Sequence, residues 1–342
     1  MANAAYMNGG DLLAVKERLE ENNDLIHLQQ FFTEQGFPYE LVGRYDVHLS
    51  FSDICGVYEG ASRYLDDPRF GIMCGTSWGV DFLGPLGEYG VAGSNLKQCI
   101  ENLSSALHTY ESGSSLILTI QGDLAKVSYF NGAGLPVGRD HYSNGLIGMM
   151  INVIRHYTGP DWLPTGIETV CSENKYSSLL EDFYQVPVKC EQPALALIFP
   201  AAELHTENPH QISVSDQYTA RDLDVLMRPL PPTTMTEVVA STIHIRLRAG
   251  LVDIEGAARK LKLSVRSLQR KLAIEGTSYR HILDRERYCR AYGLLTQPVN
   301  TITEISKSLG YEYVSDFTRA FTRQHGSPPS AVRKPRQHKS NH

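Results

Sequence analysis

The chain contains no run approaching the roughly eighteen consecutive apolar residues that a membrane helix requires, and its opening, MANAAYMNGGDLL, has neither a basic region nor an apolar one behind it. A membrane partner and an export route therefore lack support, and the expected compartment is the cytoplasm. Cysteine is sparse: Cys55, Cys74, Cys99, Cys171, Cys190 and Cys289 stand apart, with no C-x-x-C pair and no close histidine partner. That argues against a zinc site and against a disulfide framework. The six are expected to be reduced thiols serving as small apolar side chains. No G-x-S-x-G occurs, no cysteine sits beside a basic cluster, and the glycine-dense stretch Phe70 to Gly79 lacks phosphate-loop spacing. Neither an enzyme nor a metal or organic cofactor is expected.

What is present is a folded chain with an uneven charge. At 342 residues it exceeds one ordinary domain, and its hydrophobic and charged fractions, 42% and 20%, leave no long disordered tract. Basic residues are scarce before position 231, where 13 Lys plus Arg stand against 29 Asp plus Glu. From 231 onward the count reverses to 19 against 9, a net +10 inside a protein of net −6. A basic module of that size is the electrostatic footprint of something that neutralises phosphates. Between the two parts lies RPLPPTTMTE, Arg228 to Glu237, with three prolines and three threonines. The expected organisation is a domain over 1–227, a hinge over 228–237, a domain over 238–335 and a disordered basic tail over 336–342.

Before the hinge the patterning predicts an α+β domain, helices with a largely antiparallel sheet. Ser52 to Leu65, Asn95 to Tyr110, Asp140 to Tyr157 and Tyr176 to Tyr184 have helical periodicity. SSLILTIQGDLAKVSYF reads as a hairpin turned at Gln121-Gly122-Asp123, and GIETVCSE and ALALIFP as further strands. After the hinge the chain is all-α. Thr234 and Glu237 form a capping box for a helix ending at Gly250. Asp253 and Ser264 cap two short helices around the turn Lys262-Leu263-Ser264, and Thr301 begins a second pair around Gly310. These are two helix-turn-helix units joined by a linker helix, Ser278 to Thr296, with Pro298 as its stop. Nineteen residues at ~1.5 Å each give about 28 Å, close to the ~34 Å that separates successive major grooves on one face of a duplex.

In the first basic helix Val265, Leu268 and Leu272 form the inward face, which leaves Arg266, Ser267, Gln269 and Arg270 outward near its amino end. Arginine pairs with guanine O6 and N7, and glutamine with adenine N6 and N7. In the second, Phe317 and Phe321 point inward, leaving Val314, Ser315, Thr318 and Arg319 as reading positions and Arg323 as a phosphate partner. Asp316 either accepts from a cytosine amino group or organises Arg319. Double-stranded DNA is thus the expected partner.

These residues also carry a resemblance. ITEI through LGY at 302–311, DFTRAF at 316–321 and GSPPSAVR at 326–333 resemble the AraC/XylS signature, and LSVRSLQRKL, EGTSY and Arg287 to Leu295 extend the likeness to about one hundred residues. Val332 departs from the tyrosine usual there, His325 from a bulky aromatic, and Val314 is apolar at a base-facing place, so the operator sequence is not readable. FGIMCG at 70–75, LGPLG at 83–87, GPDWLP at 159–164 and the 196–204 strand ending in FPAAEL are similar to the arabinose-binding-type, non-cupin sensor domain of one branch of that family. The resemblance implies a ligand-responsive transcription regulator, an activator working with RNA polymerase on a promoter or operator. It also implies a homodimer whose effector is an amino acid, a lipid or a cyclic dinucleotide. Arginines are few in the acidic domain, and each can clamp a carboxylate or phosphate. Arg139 and His141 at one end of a helix and Arg155 and Trp162 at the other are the effector-binding candidates.

Overall fold

Strands rich in β-branched, leucine and aromatic side chains carry the chain from Ser114 to Asn131 as a hairpin, turned where Gly122 takes a φ of +60°. It begins the larger of two sheets in a computed structural model that describes residues 5–21, 23, 25–44, 46–132, 136–210, 219, 222–223, 227, 230–248, 250–295 and 301–333. Hinge positions 228 and 229, Thr296, Pro298 and the expected tail 336–342 lie outside the described residues. The chain divides into two compact units, 1–231 and 232–342.

In the first unit β1 (Tyr6–Asn8) and β2 (His48–Ser50) pair antiparallel. The larger sheet holds β3 (Ser114–Gln121), β4 (Leu124–Asn131), β5 (Gly166–Glu168), β6 (Val188–Lys189) and β7 (Leu195–Pro200) in the order β3-β4-β7-β5-β6. Every pairing in it is antiparallel except β5 with β6. The helices are α1 (Leu13–Glu20), α2 (Leu25–Glu34), α3 (Phe51–Leu65), α4 (Phe70–Ser77), α5 (Pro85–Val91), α6 (Leu96–Ala106), α7 (Arg139–Thr158) and α8 (Glu173–Tyr184). The unit is therefore α+β with an antiparallel-dominated sheet.

The glycine-dense stretch has a structural explanation. It is α4, which crosses α7 with the two backbones in contact: a Cβ added at Gly71 would lie 2.1 Å from the His141 carbonyl oxygen, and one at Gly75 2.4 Å from that of Gly145. No larger residue fits at that crossing. Asn152 on α7 donates to the Trp78 carbonyl at 2.7 Å and to that of Gly75 at 3.3 Å, closing the end of α4. Tyr58, Trp78 and Tyr142 pack edge-on around this crossing, with ring centroids 5.7–6.4 Å apart.

The second unit is helical: α9 (Met235–Arg248), α10 (Ile254–Lys260), α11 (Val265–Ile274), α12 (Tyr279–Leu295), α13 (Ile302–Ser308), α14 (Val314–His325) and the short α15 (Pro329–Val332). The expected caps form. Glu237 accepts from the Thr233 and Thr234 amides while Thr234 accepts from the Glu237 amide. Asp253, Ser264 and Thr301 each accept an amide hydrogen three residues on. Two cores result. Val239 and Ile243 of α9 meet Leu268, Leu272 and Ile282 in the first, and Leu247 meets Ala291, Leu295, Ile305, Leu309, Phe317 and Phe321 in the second. Helices α9 and α12 serve both.

Candidate DNA interface and effector cavity

Burial of Leu268 and Leu272 fixes the rotation of α11 about its axis. Arg266, Gln269 and Arg270 are consequently exposed. Ser267 is half-buried and belongs to the cap, its amide donating to Ser264 Oγ at 3.1 Å and the two hydroxyls lying 2.9 Å apart. Three of the four predicted reading positions thus present free polar ends beside an ordered first turn.

Phe317 and Phe321 do the same for α14, leaving Ser315, Arg319 and Arg323 exposed and Val314 and Thr318 half-buried. The Thr318 hydroxyl donates to the Val314 carbonyl at 2.9 Å, so it can offer DNA only its acceptor lone pairs. Asp316 pairs with Arg319 one turn on, which favours the organising role over direct base contact. Arg323, its side chain 72% exposed, lies 3.8 Å from Asp284 of α12. His325 packs its ring on Phe321 and Tyr292 and meets the Tyr288 hydroxyl at 3.0 Å, and Val332 packs on the second core. Of the three atypical residues, His325 and Val332 thus pack within the domain, and Val314 is half-buried at the start of α14.

One arginine to which sequence reading gave no role fastens the second helix-turn-helix unit to the linker helix. Arg287 of α12 donates to the carbonyls of Leu309 at 2.9 Å and Gly310 at 3.0 Å, and stacks over Tyr311 at 4.3 Å. It holds the turn between α13 and α14 against the linker helix.

The four effector candidates are not gathered at one place. Arg139 and Arg155 sit sixteen residues apart on α7, about 24 Å along its axis. Arg139 lines an open cleft with Asp140, Ser172 and Glu191. His141 is buried, its Nε2 3.4 Å from the Tyr176 hydroxyl and 3.8 Å from Glu59. Arg155 donates through Nε to the Trp162 carbonyl at 3.0 Å, and Trp162 Nε1 donates to Glu203 at 2.7 Å. That second pair pins the loop after α7 to the end of β7.

A different place in the first unit has the form of a ligand site. A cavity of about 70 Å³ lies where α5, α6 and α7 cover the hairpin, lined by Leu86, Leu103, Leu116, Val127 and Leu146 among others. Among the described residues that line it, Asp11 and Glu111 are the ionisable carboxyls and none is a lysine, arginine or histidine. Tyr110 donates to Asp11 Oδ1 at 2.9 Å and Tyr129 to Glu111 Oε2 at 2.8 Å. Asp11 Oδ2 is buried without a hydrogen-bond partner. Burial pushes the Asp11 carboxyl up to about 7 against the pull of the Tyr110 and Tyr142 phenols. Burial, with the neighbouring Asp11 charge added, pushes Glu111 up to about 8 against Tyr129 and Ser114. Sequence reading missed both; the faint signal was a single acid inside each of the uncharged stretches GGDLLAV and HTYESGSSLI.

Comparison with known proteins places these features. A family model described as the arabinose-binding domain of AraC transcription regulators matches residues 26–208, and a helix-turn-helix domain model matches 257–335. The ornithine utilization regulator of Pseudomonas aeruginosa is 24% identical over 289 residues, 83% of this chain and 84% of that one. The regulator VqsM of the same organism is 25% identical over 274 residues, 72% of this chain and 80% of its own. VirS of Mycobacterium tuberculosis is 24% identical over 301 residues, covering 84% and 85%. Among the described residues no helix is long and apolar enough to cross a membrane.

Proposed function

The chain belongs to the AraC family of transcription regulators, and from that premise we propose that α11 and α14 read two successive major grooves while the first unit controls them through a small molecule. It is a DNA-binding regulator with an arabinose-binding-type amino-terminal domain. The observation that carries the finer reading is the pairing of two helices whose amino-terminal turns stay polar and exposed on buried apolar faces. In this reading Arg266, Gln269 and Arg270 meet base edges from α11, with Ser267 holding the cap beside them. Ser315, Thr318 and Arg319 do so from α14, Val314 offers a methyl contact, and Arg323 meets a phosphate.

The effector is assigned to the cavity over the hairpin rather than to Arg139, His141, Arg155 and Trp162. An apolar lining with a few polar groups at one end is what small-molecule sites share. A sugar, which needs hydrogen bonds on every side, fits such a lining poorly, and a cyclic dinucleotide brings negative charge to a place with no cation. Homodimerisation through the first unit, activation through RNA polymerase and transmission along the 228–237 hinge complete the proposal by the habit of the family.

The deciding experiment is a gel-shift on DNA upstream of the gene at several salt concentrations. Specific binding with a steep salt dependence is the expected result. No binding even at low salt would sink the reading. Mass spectrometry of small molecules that co-purify with the protein addresses the effector.

A further inference from the structure

The cavity's chemistry selects its occupant by charge and size. Its wall is apolar on the sides given by α6, α7 and the hairpin, and its polar end consists of Asp11, Glu111 and the phenols of Tyr110, Tyr129 and Tyr142. Asp11 is 7% exposed and Glu111 3%, so water does not solvate either carboxyl well. Both carboxyls line the same cavity. Oδ1 of Asp11 and Oε2 of Glu111 each receive one phenolic hydrogen, while Asp11 Oδ2 receives none. The polar end therefore keeps one buried oxygen without a partner, and among the described lining residues it has no positive charge.

We propose that the cavity binds a small primary amine with a short apolar body, its ammonium group seated between Asp11 and Glu111. This rests on the assignment of the effector to that cavity. An ammonium supplies three donors and one positive charge, which fits a buried carboxyl pair with an unpartnered oxygen, one member of which gives up its proton when the amine binds. The bound site is then neutral: one carboxylate, one carboxylic acid, one ammonium. A buried ion pair of this kind needs its remaining lone pairs satisfied, and the three phenols are placed to do so.

The same features reject other classes. A carboxylate or phosphate ligand would be a third acid beside two, with no arginine or lysine among the described lining residues. A metal ion is disfavoured because no cluster of three or more His, Cys, Asp or Glu side chains occurs among the described residues and because the rest of the wall is hydrocarbon. Size is limited too. At about 70 Å³ the space is roughly half of the ~150 Å³ that admits benzene, so a chain of a few carbons fits, with Met149 and Met150 as pliable wall.

The test is calorimetric titration of the full chain with n-butylamine, n-butanol and butyrate at constant ionic strength, on the parent, Glu111→Gln and Asp11→Asn. Butylamine is expected to bind at least about tenfold more tightly than butanol, and butyrate not at all. Either substitution should weaken the amine by about ten- to a hundredfold while leaving butanol almost unchanged, and butanol binding itself reports that the variant's cavity is intact. If butanol or butyrate matches the amine, or if the amine binds both variants as well as the parent, the amine assignment falls and the cavity assignment stands. If none of the three binds the parent, both fall, while the gel-shift remains an independent reading of the DNA interface.

Discussion

Glu111 and Asp11 hold protons that the unfolded chain would release. An ordinary carboxyl titrates near 4, whereas burial pushes these two up to about 8 and about 7. Between those limits the native state binds more protons than the unfolded state, so stability falls as pH rises. Glu111→Gln removes one of the two titrations. Its unfolding free energy should decline less steeply between about pH 5 and pH 7, by up to ~1 kcal/mol per pH unit relative to the parent. Urea denaturation followed by tryptophan fluorescence measures this cleanly, because Trp78 and Trp162 both lie in the first unit. Parallel curves would show that the carboxyl is not held neutral. At the other end of the chain, Arg270→Ala is expected to cost about 1–3 kcal/mol of DNA affinity and to relax base preference at one operator position. Arg323→Ala should weaken all sequences alike and flatten the salt dependence. A binding-site selection on the two variants separates the roles.

Among the elements, α12 carries the most weight in the second unit. Its residues Ile282 and Leu283 enter the first core, Ala291 and Leu295 the second, and Arg287 between them grips the α13–α14 turn. Gly310 in that turn takes a φ of +70°, and a Cβ there would lie 2.9 Å from Val252 Cγ1. Replacing Arg287 with alanine orphans two carbonyls and an aromatic face, and should lower the stability of the second unit by about 2–3 kcal/mol. Lysine at 287 should recover less than half, since it lacks the planar fork that reaches both carbonyls. Denaturation followed by circular dichroism after the first unit's tryptophan transition is subtracted gives the number.

This level is also where sequence and structure can be compared. The caps at Thr234, Asp253, Ser264 and Thr301 were legible because a capping side chain acts within three residues of itself. The inward faces of α11 and α14 were legible because periodicity is local. The Arg287 clamp spans 22 residues and the α4–α7 contact about 70, and no local pattern encodes either. The cavity's two acids were not legible for the same reason: Asp11 and Glu111 are one hundred positions apart, and an isolated acid has no periodicity to declare it. The arginines chosen instead, Arg139 and Arg155, were conspicuous in an acidic domain, yet one lines an open cleft and the other fastens a loop.

At the scale of the molecule, the division of charge gives each half a separate task. The carboxy-terminal 112 residues carry 19 basic against 9 acidic side chains, an excess that attracts phosphate and that salt screens over ~8 Å at physiological strength. Within that basic unit the two helices proposed to read DNA belong to one chain and are spaced by α12, whose seventeen residues span about 26 Å. A spacer of that kind is stiff, and it ties the two contacted DNA segments to a fixed separation and a fixed face. Inserting five base pairs between the segments turns the second to the opposite face. Inserting ten restores the face but moves the segment ~34 Å farther away, beyond the reach of α14 while α11 stays bound. Both insertions are therefore expected to reduce affinity to that of α11 alone, equal to the affinity left by an Arg319→Ala, Arg323→Ala double variant on the parent site. Gel-shifts on the three DNA lengths decide it. Recovery of full affinity at ten base pairs would mean that the two segments are read by different chains of a dimer.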